Sequence, residues 1–172
     1  MLVKIRIGEK IITLFETKLV DKIKSKIFNL VKNSFFEISK EDTVIITLKY
    51  DFLQNNQNIG LIQINKDKNI INVNIILNSK SDRNLGEYIE ILSHEISHIK
   101  FQNHTHNHFN LKYENLEYFF PSLNFQKHKE EELKLRKKLN VGYWANNYTL
   151  EDIRKKKIKK ENRLSKKILS VL

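Results

Sequence analysis

Apolar and polar residues alternate along some stretches of the chain and recur at helical spacing along others, and the switches between the two periods lay out the elements. Leu2 to Ile7 alternates apolar and basic residues, as a half-buried strand does. Gly8-Glu9 is a turn signal, so Lys10 to Phe15 is expected as a hairpin partner. Thr17 can cap a helix, and Leu19, Val20, Ile23, Ile27, Leu30 and Val31 then recur on one helical face to about Phe35. Thr43 to Lys49 is β-branched and apolar and reads as a strand; Ile59 to Asn65 reads as a second. A polar turn over 65–69 leads to a third, Ile70 to Leu77, with asparagines on alternate positions in its early part. After a polar loop the period becomes helical at Leu85, and Leu85, Tyr88, Ile89, Leu92, Ile96 and Ile99 form one stripe. A His/Asn-rich turn from Asn103 to Asn110 follows, then a helix through Phe119 that Pro121 stops, and a charged helix from Gln126 to Asn140. Beyond an aromatic pair, Tyr143-Trp144, Thr149 caps a last basic helix, with Asp152 placed as in a capping box.

These elements predict an α+β fold. A small mixed or antiparallel sheet packs on the N-terminal helix and on the Leu85 helix, and a helical part closes the chain. There is no internal repeat and no Gly/Ser- or Pro-rich linker. The compositional boundary falls near Leu150, which divides the chain into a domain over 1–149 and a basic C-terminal helix over 150–172.

The Leu85 helix carries His94-Glu95-Ile96-Ser97-His98. Histidines at i and i+4 lie one turn apart on one helical face, so both can reach one ion. With Leu85 at zero and about 100° per residue, the apolar stripe falls within roughly 60° of zero, and His94 and His98 fall near 180° and 220° on the opposite side. One face is thus expected in the core and the other toward a cleft. Glu95 stands beside the place of a bound water, as a general base does. Zinc, the expected cofactor, lowers the pKa of such a water to near neutrality.

A catalytic zinc commonly has three protein ligands and an open fourth position. His104 is the best third candidate. On a straight helix it would lie about 15 Å along the axis from His94, so the helix must end after about Ile99 and fold back. Asn103 suits the left-handed backbone of such a turn. His106 and His108 are nearby alternatives, although an Asn/His-rich loop makes solvated turn residues of them first. Glu114 and Glu117 are further alternatives, as an acid on a following helix completes some zinc sites. Tyr113, Tyr118, Tyr143 and Tyr148 could each supply a hydroxyl to an oxyanion, with core packing as the default role. Trp144 reads as a packing anchor.

Composition narrows the chemistry. The chain has 172 residues, enough for one domain with a core, and its 40% hydrophobic and 30% charged residues are those of a globular protein. It has no cysteine, so a metal must be held by His, Asp or Glu. Charges interrupt the N-terminus too often for a signal peptide, and no apolar run reaches the roughly 18 residues of a membrane span. A cytoplasmic protein without a transmembrane segment is expected. The net charge is +11, and residues 150–172 hold nine Lys/Arg against three acids, a surplus of six. Lys, Asn and Ile are abundant throughout, so part of the basic balance is compositional bias.

The run from His94 to Thr105, HEISHIKFQNHT, resembles the motif of YgjP-like bacterial metal-dependent hydrolases, roughly H-E-L-[AC]-H-L-K-H-x-N-H-S followed by an aromatic. SprT and WLM-type metalloproteases belong to the same broad group of small zincins, and metzincins share the three-histidine spacing. The resemblance implies His94, His98 and His104 as zinc ligands and Glu95 as base. It also implies a zincin-like fold in which the strand before the motif helix, here Ile70 to Leu77, lines a cleft for an extended peptide. It covers about 20 residues, 91–110. Ser97 departs from the usual Ala or Cys, Phe101 from His or the metzincin Gly, and the aromatic appears at Phe109, one place from the Phe of the pattern.

The expected function is zinc-dependent hydrolysis of a peptide bond in a protein or peptide substrate. Two alternatives stand beside it: a nucleic-acid-associated protein whose zinc site is structural or regulatory, and a zinc amidohydrolase acting on a small molecule. The basic helix reads as a solvated helix, a nucleic-acid contact or an anionic-membrane contact. If it binds nucleic acid, deleting residues 150–172 abolishes salt-sensitive DNA or RNA binding in a fluorescence-anisotropy titration; binding that survives the deletion would rule the tail out as its source.

Overall fold

The computed structural model describes residues 2–7, 17–34, 39, 41–51, 53, 59–79 and 85–138. The elements run β1 (Leu2–Ile7), α1 (Thr17–Ser34), β2 (Thr43–Asp51), β3 (Gly60–Asp67), β4 (Ile70–Asn78), α2 (Leu85–Ser97), α3 (His106–Phe119) and α4 (Gln126–Lys138). The fold is mixed α+β. The expected partner strand over 10–15, Tyr143, Trp144, Tyr148 and the basic helix over 150–172 lie outside the described residues.

The four strands form a mixed sheet in the order β1-β2-β4-β3. β1, β2 and β4 are parallel neighbours, and β3 runs antiparallel to β4 at an edge. Period-two alternation sets the faces. Val44, Ile46 and Leu48 of β2 and Ile71, Val73, Ile75 and Leu77 of β4 are buried, while Asn72 and Asn74 fall on the half-exposed face. Lys68 takes φ 51° in the tight β3–β4 turn, the one positive φ at a non-glycine residue among those described. β3 thus reaches Asp67, two residues beyond the polar signal at Asn65.

Leu2–Ile7 pairs with β2 in parallel, which needs a crossover, and α1 lies in that connection. One expectation is corrected here. The strand before the motif helix, β4, is hydrogen-bonded on both sides, by β2 and by β3. Its backbone has no edge left for a substrate; that edge belongs to β3.

Ile23, Ile27 and Val31 of α1 and Tyr88, Ile89, Leu92 and Ile96 of α2 join the buried sheet residues in one core. The Tyr88 hydroxyl donates to that of Tyr50 at 3.0 Å, so two half-polar rings enter this core without an unpaired oxygen. α2 is buried well beyond its apolar stripe, since Ser93 and Ser97 are enclosed as well. Ser93 Oγ donates to the Ile89 carbonyl and Ser97 Oγ to the Ser93 carbonyl. Asn115 Nδ2 of α3 then donates to the Ser93 carbonyl at 3.2 Å and to Ser97 Oγ at 3.0 Å. The Ser97 hydroxyl is an acceptor that anchors α3 on α2. Lys26 of α1 donates to the carbonyls of Tyr118 and Phe119, which places a cation on the last turn of α3. No helix of the described residues is long and apolar enough to cross a membrane.

α4 is held by a buried charge cluster. Glu132, 1% exposed, accepts from Lys112 Nζ at 2.7 Å, from Tyr113 Oη at 2.5 Å and from Arg136 Nε at 2.9 Å. Lys112 also reaches Glu90 of α2 at 3.3 Å. Burial alone would raise the Glu132 carboxyl, but Lys112 and Arg136 outweigh it and hold the pKa down to about 2. Removing one member of a buried pair strands the other charge. Glu132→Leu is therefore expected to destabilise the protein by about 3–5 kcal/mol in urea denaturation, and adding Lys112→Met should recover a substantial part. Strictly additive losses in the double variant would show that the pair is not coupled.

Candidate metal centre

α2 stops at Ser97 because the next amides tighten the helix: His98 N bonds to the Glu95 carbonyl, Ile99 N to Ile96 and Lys100 N to Ser97. This reversal needs no left-handed residue, so the role expected of Asn103 is not used. The chain turns back through 101–105 and restarts as a helix one residue after Thr105. Thr105 is the N-cap, its hydroxyl accepting from His108 N at 3.3 Å.

The reversal brings three histidines to one point. The Nε2 atoms of His94 and His98 are 3.2 Å apart, those of His98 and His104 3.0 Å, and those of His104 and His94 3.1 Å. Nitrogens bound to one tetrahedral ion at 2.0–2.1 Å stand about 3.3 Å apart, so this near-equilateral triangle fits a single cation above its plane. His98 Nδ1 lies 3.1 Å from the Phe101 carbonyl. Donation there leaves the His98 Nε2 lone pair facing the centre, the tautomer that metal ligands take. Three ring nitrogens at this distance cannot all be satisfied by one another; a shared cation satisfies all three.

His108 belongs to the same group, contrary to its reading as a solvated turn residue. It lies in the first turn of α3, is 2% exposed, and offers a nitrogen within 4.8 Å of those of His94, His98 and His104. The signal for it is Thr105: a helix capped there puts His108 on the buried stripe with Phe109, Lys112, Tyr113 and Leu116. The other candidates lie elsewhere. His106, Glu114 and Glu117 are exposed and outside the group. Tyr113 is committed to Glu132, and the exposed Tyr118 hydroxyl accepts from Asn29. These four histidines could hold a metal ion.

The electrostatics favour neutral, ligating rings. Burial is the first cause in each case, with repulsion between the imidazoles adding to it for His94, His104 and His108. His94 is pushed well below the usual imidazole value by burial, then by His108, His98, Lys112 and His104. His98 is lowered by burial against the opposing carbonyls of Phe101 and Gln102. His104 falls to about 4 through burial, His98 and Arg136. His108 falls to about 3 through burial, His98 and His104, opposed by its bond to the His94 backbone.

Glu95 follows His94 on α2 and is 5% exposed. Burial raises its carboxyl to about 8. Its Oε1 lies against the start of β3, where a Cβ on Gly60 would come within 2.7 Å of it and of Ile91 Cγ2. A side chain at Gly60 would force Glu95 and Ile91 to shift, and the edge strand begins directly beside the Glu95 carboxyl.

Comparison of the chain with protein-family models, with curated proteins and with solved structures gives no match.

Without metal, the two kinds of group work in opposite directions. The histidines have folded pKa values below the unfolded 6.5, so the unfolded state binds more protons and their stabilisation is lost as pH falls from 6.5 toward 4 and 3. Glu95 is raised from 4.5 to about 8, so its stabilisation is lost as pH rises through that window. Four histidines outweigh one carboxyl below 6.5. In chelator, the urea midpoint should therefore fall steeply between pH 6.5 and 4, and His108→Phe should flatten the fall. A midpoint that does not change over that range would contradict the buried, neutral cluster.

Proposed function

We propose that the protein is a zinc-dependent metallopeptidase of zincin-like fold. The observation that carries this reading is the triangle of His94, His98 and His104 nitrogens, with the buried Glu95 directly after His94 on the same helix. The likeness of the His94–Thr105 motif to YgjP-like, SprT and WLM-type hydrolases supports it. Three neutral imidazoles and no sulfur suit zinc among the divalent metals, with imidazole also serving copper, iron and nickel.

His94, His98 and His104 would hold the ion, with His98 oriented by its bond to the Phe101 carbonyl. Zinc bound there supplies Lewis-acid polarisation of the scissile carbonyl and acidification of the attacking water. Glu95 takes the proton from that water and delivers it to the leaving amine. Its enclosure suits proton transfer, because without a cation nearby the carboxyl is held protonated, and a divalent charge restores the carboxylate. β3, the edge strand that begins at Gly60 against Glu95, supplies an edge on which an extended peptide can add as a strand, main chain to main chain.

Purified protein is expected to bind one zinc per chain by elemental analysis. Glu95→Gln should keep that zinc and lose about 10²–10⁴-fold of the rate on fluorescein-labelled casein. His98→Ala should lose both. A wild-type chain that takes up no zinc, or a Glu95→Gln variant of full activity, would defeat the reading.

A further inference from the structure

His108 is the buried group that three-ligand hydrolysis leaves without a role. Its Nε2 is the one enclosed side-chain polar atom among the described residues that has no hydrogen-bond partner. On a neutral ring that nitrogen can carry a bare lone pair, as a metal-ligating nitrogen does. A buried nitrogen of this kind costs stability unless something occupies the space before it.

The placement of the ring agrees. Its centroid lies 4.5 Å from that of His94, 4.1 Å from His98 and 5.0 Å from His104. The three triangle rings stand 4.9, 5.0 and 4.5 Å from one another. All six separations fall in one narrow range, so the four rings mark the corners of a slightly flattened tetrahedron. Four rings so placed surround one point, as ligands to one ion do. The four nitrogens, by contrast, spread to 4.8 Å, wider than the 3.0–3.2 Å triangle. His108 thus stands at the fourth corner with its nitrogen farther out than the other three.

We propose that His108 is a fourth, displaceable ligand that closes the metal centre at rest. This rests on the reading of His94, His98 and His104 as a zinc site. Four protein ligands make a closed site, whereas hydrolysis needs a position open to water. A substrate or water must therefore displace His108, and the first turn of α3 becomes the gate. The Thr105 cap and Phe109, buried next to His108, set how readily the ring withdraws.

Zinc K-edge X-ray absorption on the full-length wild-type protein counts the imidazoles. Four are expected in the wild type and three in His108→Phe, with zinc affinity weakened about 100-fold, one ligand's share of a four-ligand site. His108→Gln, which keeps a polar group there, should also count three. Three imidazoles in the wild type, with unchanged affinity in His108→Phe, would overturn the closed centre and leave the three-histidine site standing. A wild-type protein that binds no zinc would overturn both.

Discussion

Three imidazole nitrogens held 3.0–3.2 Å apart form the constraint around which the described structure is organised. Neutral rings at that spacing turn lone pairs toward one another, and charged rings would repel more strongly. The arrangement is tolerable only with a cation at its centre or with a rigid frame that prevents relaxation. The frame is visible. Two of the histidines are carried by α2 and the turn that tightens its end, enclosed between the sheet and α3. The third is delivered by the reversal that follows.

Polar contacts between helices make the frame stiff. Asn115 satisfies the Ser93 carbonyl and the Ser97 hydroxyl, so the α2–α3 approach is specified by directional bonds as well as by packing. Lys112, one turn beyond His108, is bound on both sides, to Glu90 of α2 and to Glu132 of α4. Its charge still reaches the cluster and helps keep His94 and His108 neutral. The helix that carries His108 is thus tied to α1, α2 and α4, and a movement of its first turn must be local.

Much of the site is legible in the residues alone. His94, Glu95 and His98 follow from the i, i+4 rule, because helical geometry is local and does not depend on what the helix packs against. His104 follows from distance: ten residues of helix are too long to share an ion, so the chain has to fold back. The means of folding back differs from the expected one, since tightened helical bonds at 98–100 replace a left-handed Asn103. His108 escapes a reading by composition, because a cluster of His and Asn looks like loop. The Thr105 cap that starts α3 depends on how the preceding turn is oriented.

The sequence by itself determined the alternation that makes β2 and β4 core strands, the stripe that buries α1 and α2, and the two histidines that share a face with Glu95 beside them. These are properties of residues a few places apart, where the period of the backbone decides. The tertiary structure alone decided that β1 joins β2 in parallel, that β3 rather than β4 holds the edge, that Gly60 lies against Glu95, and that His108 joins the group of imidazoles. Those outcomes depend on which surfaces meet across long stretches of chain. They follow from volume, partner satisfaction and strand order, and none of these is written in local spacing.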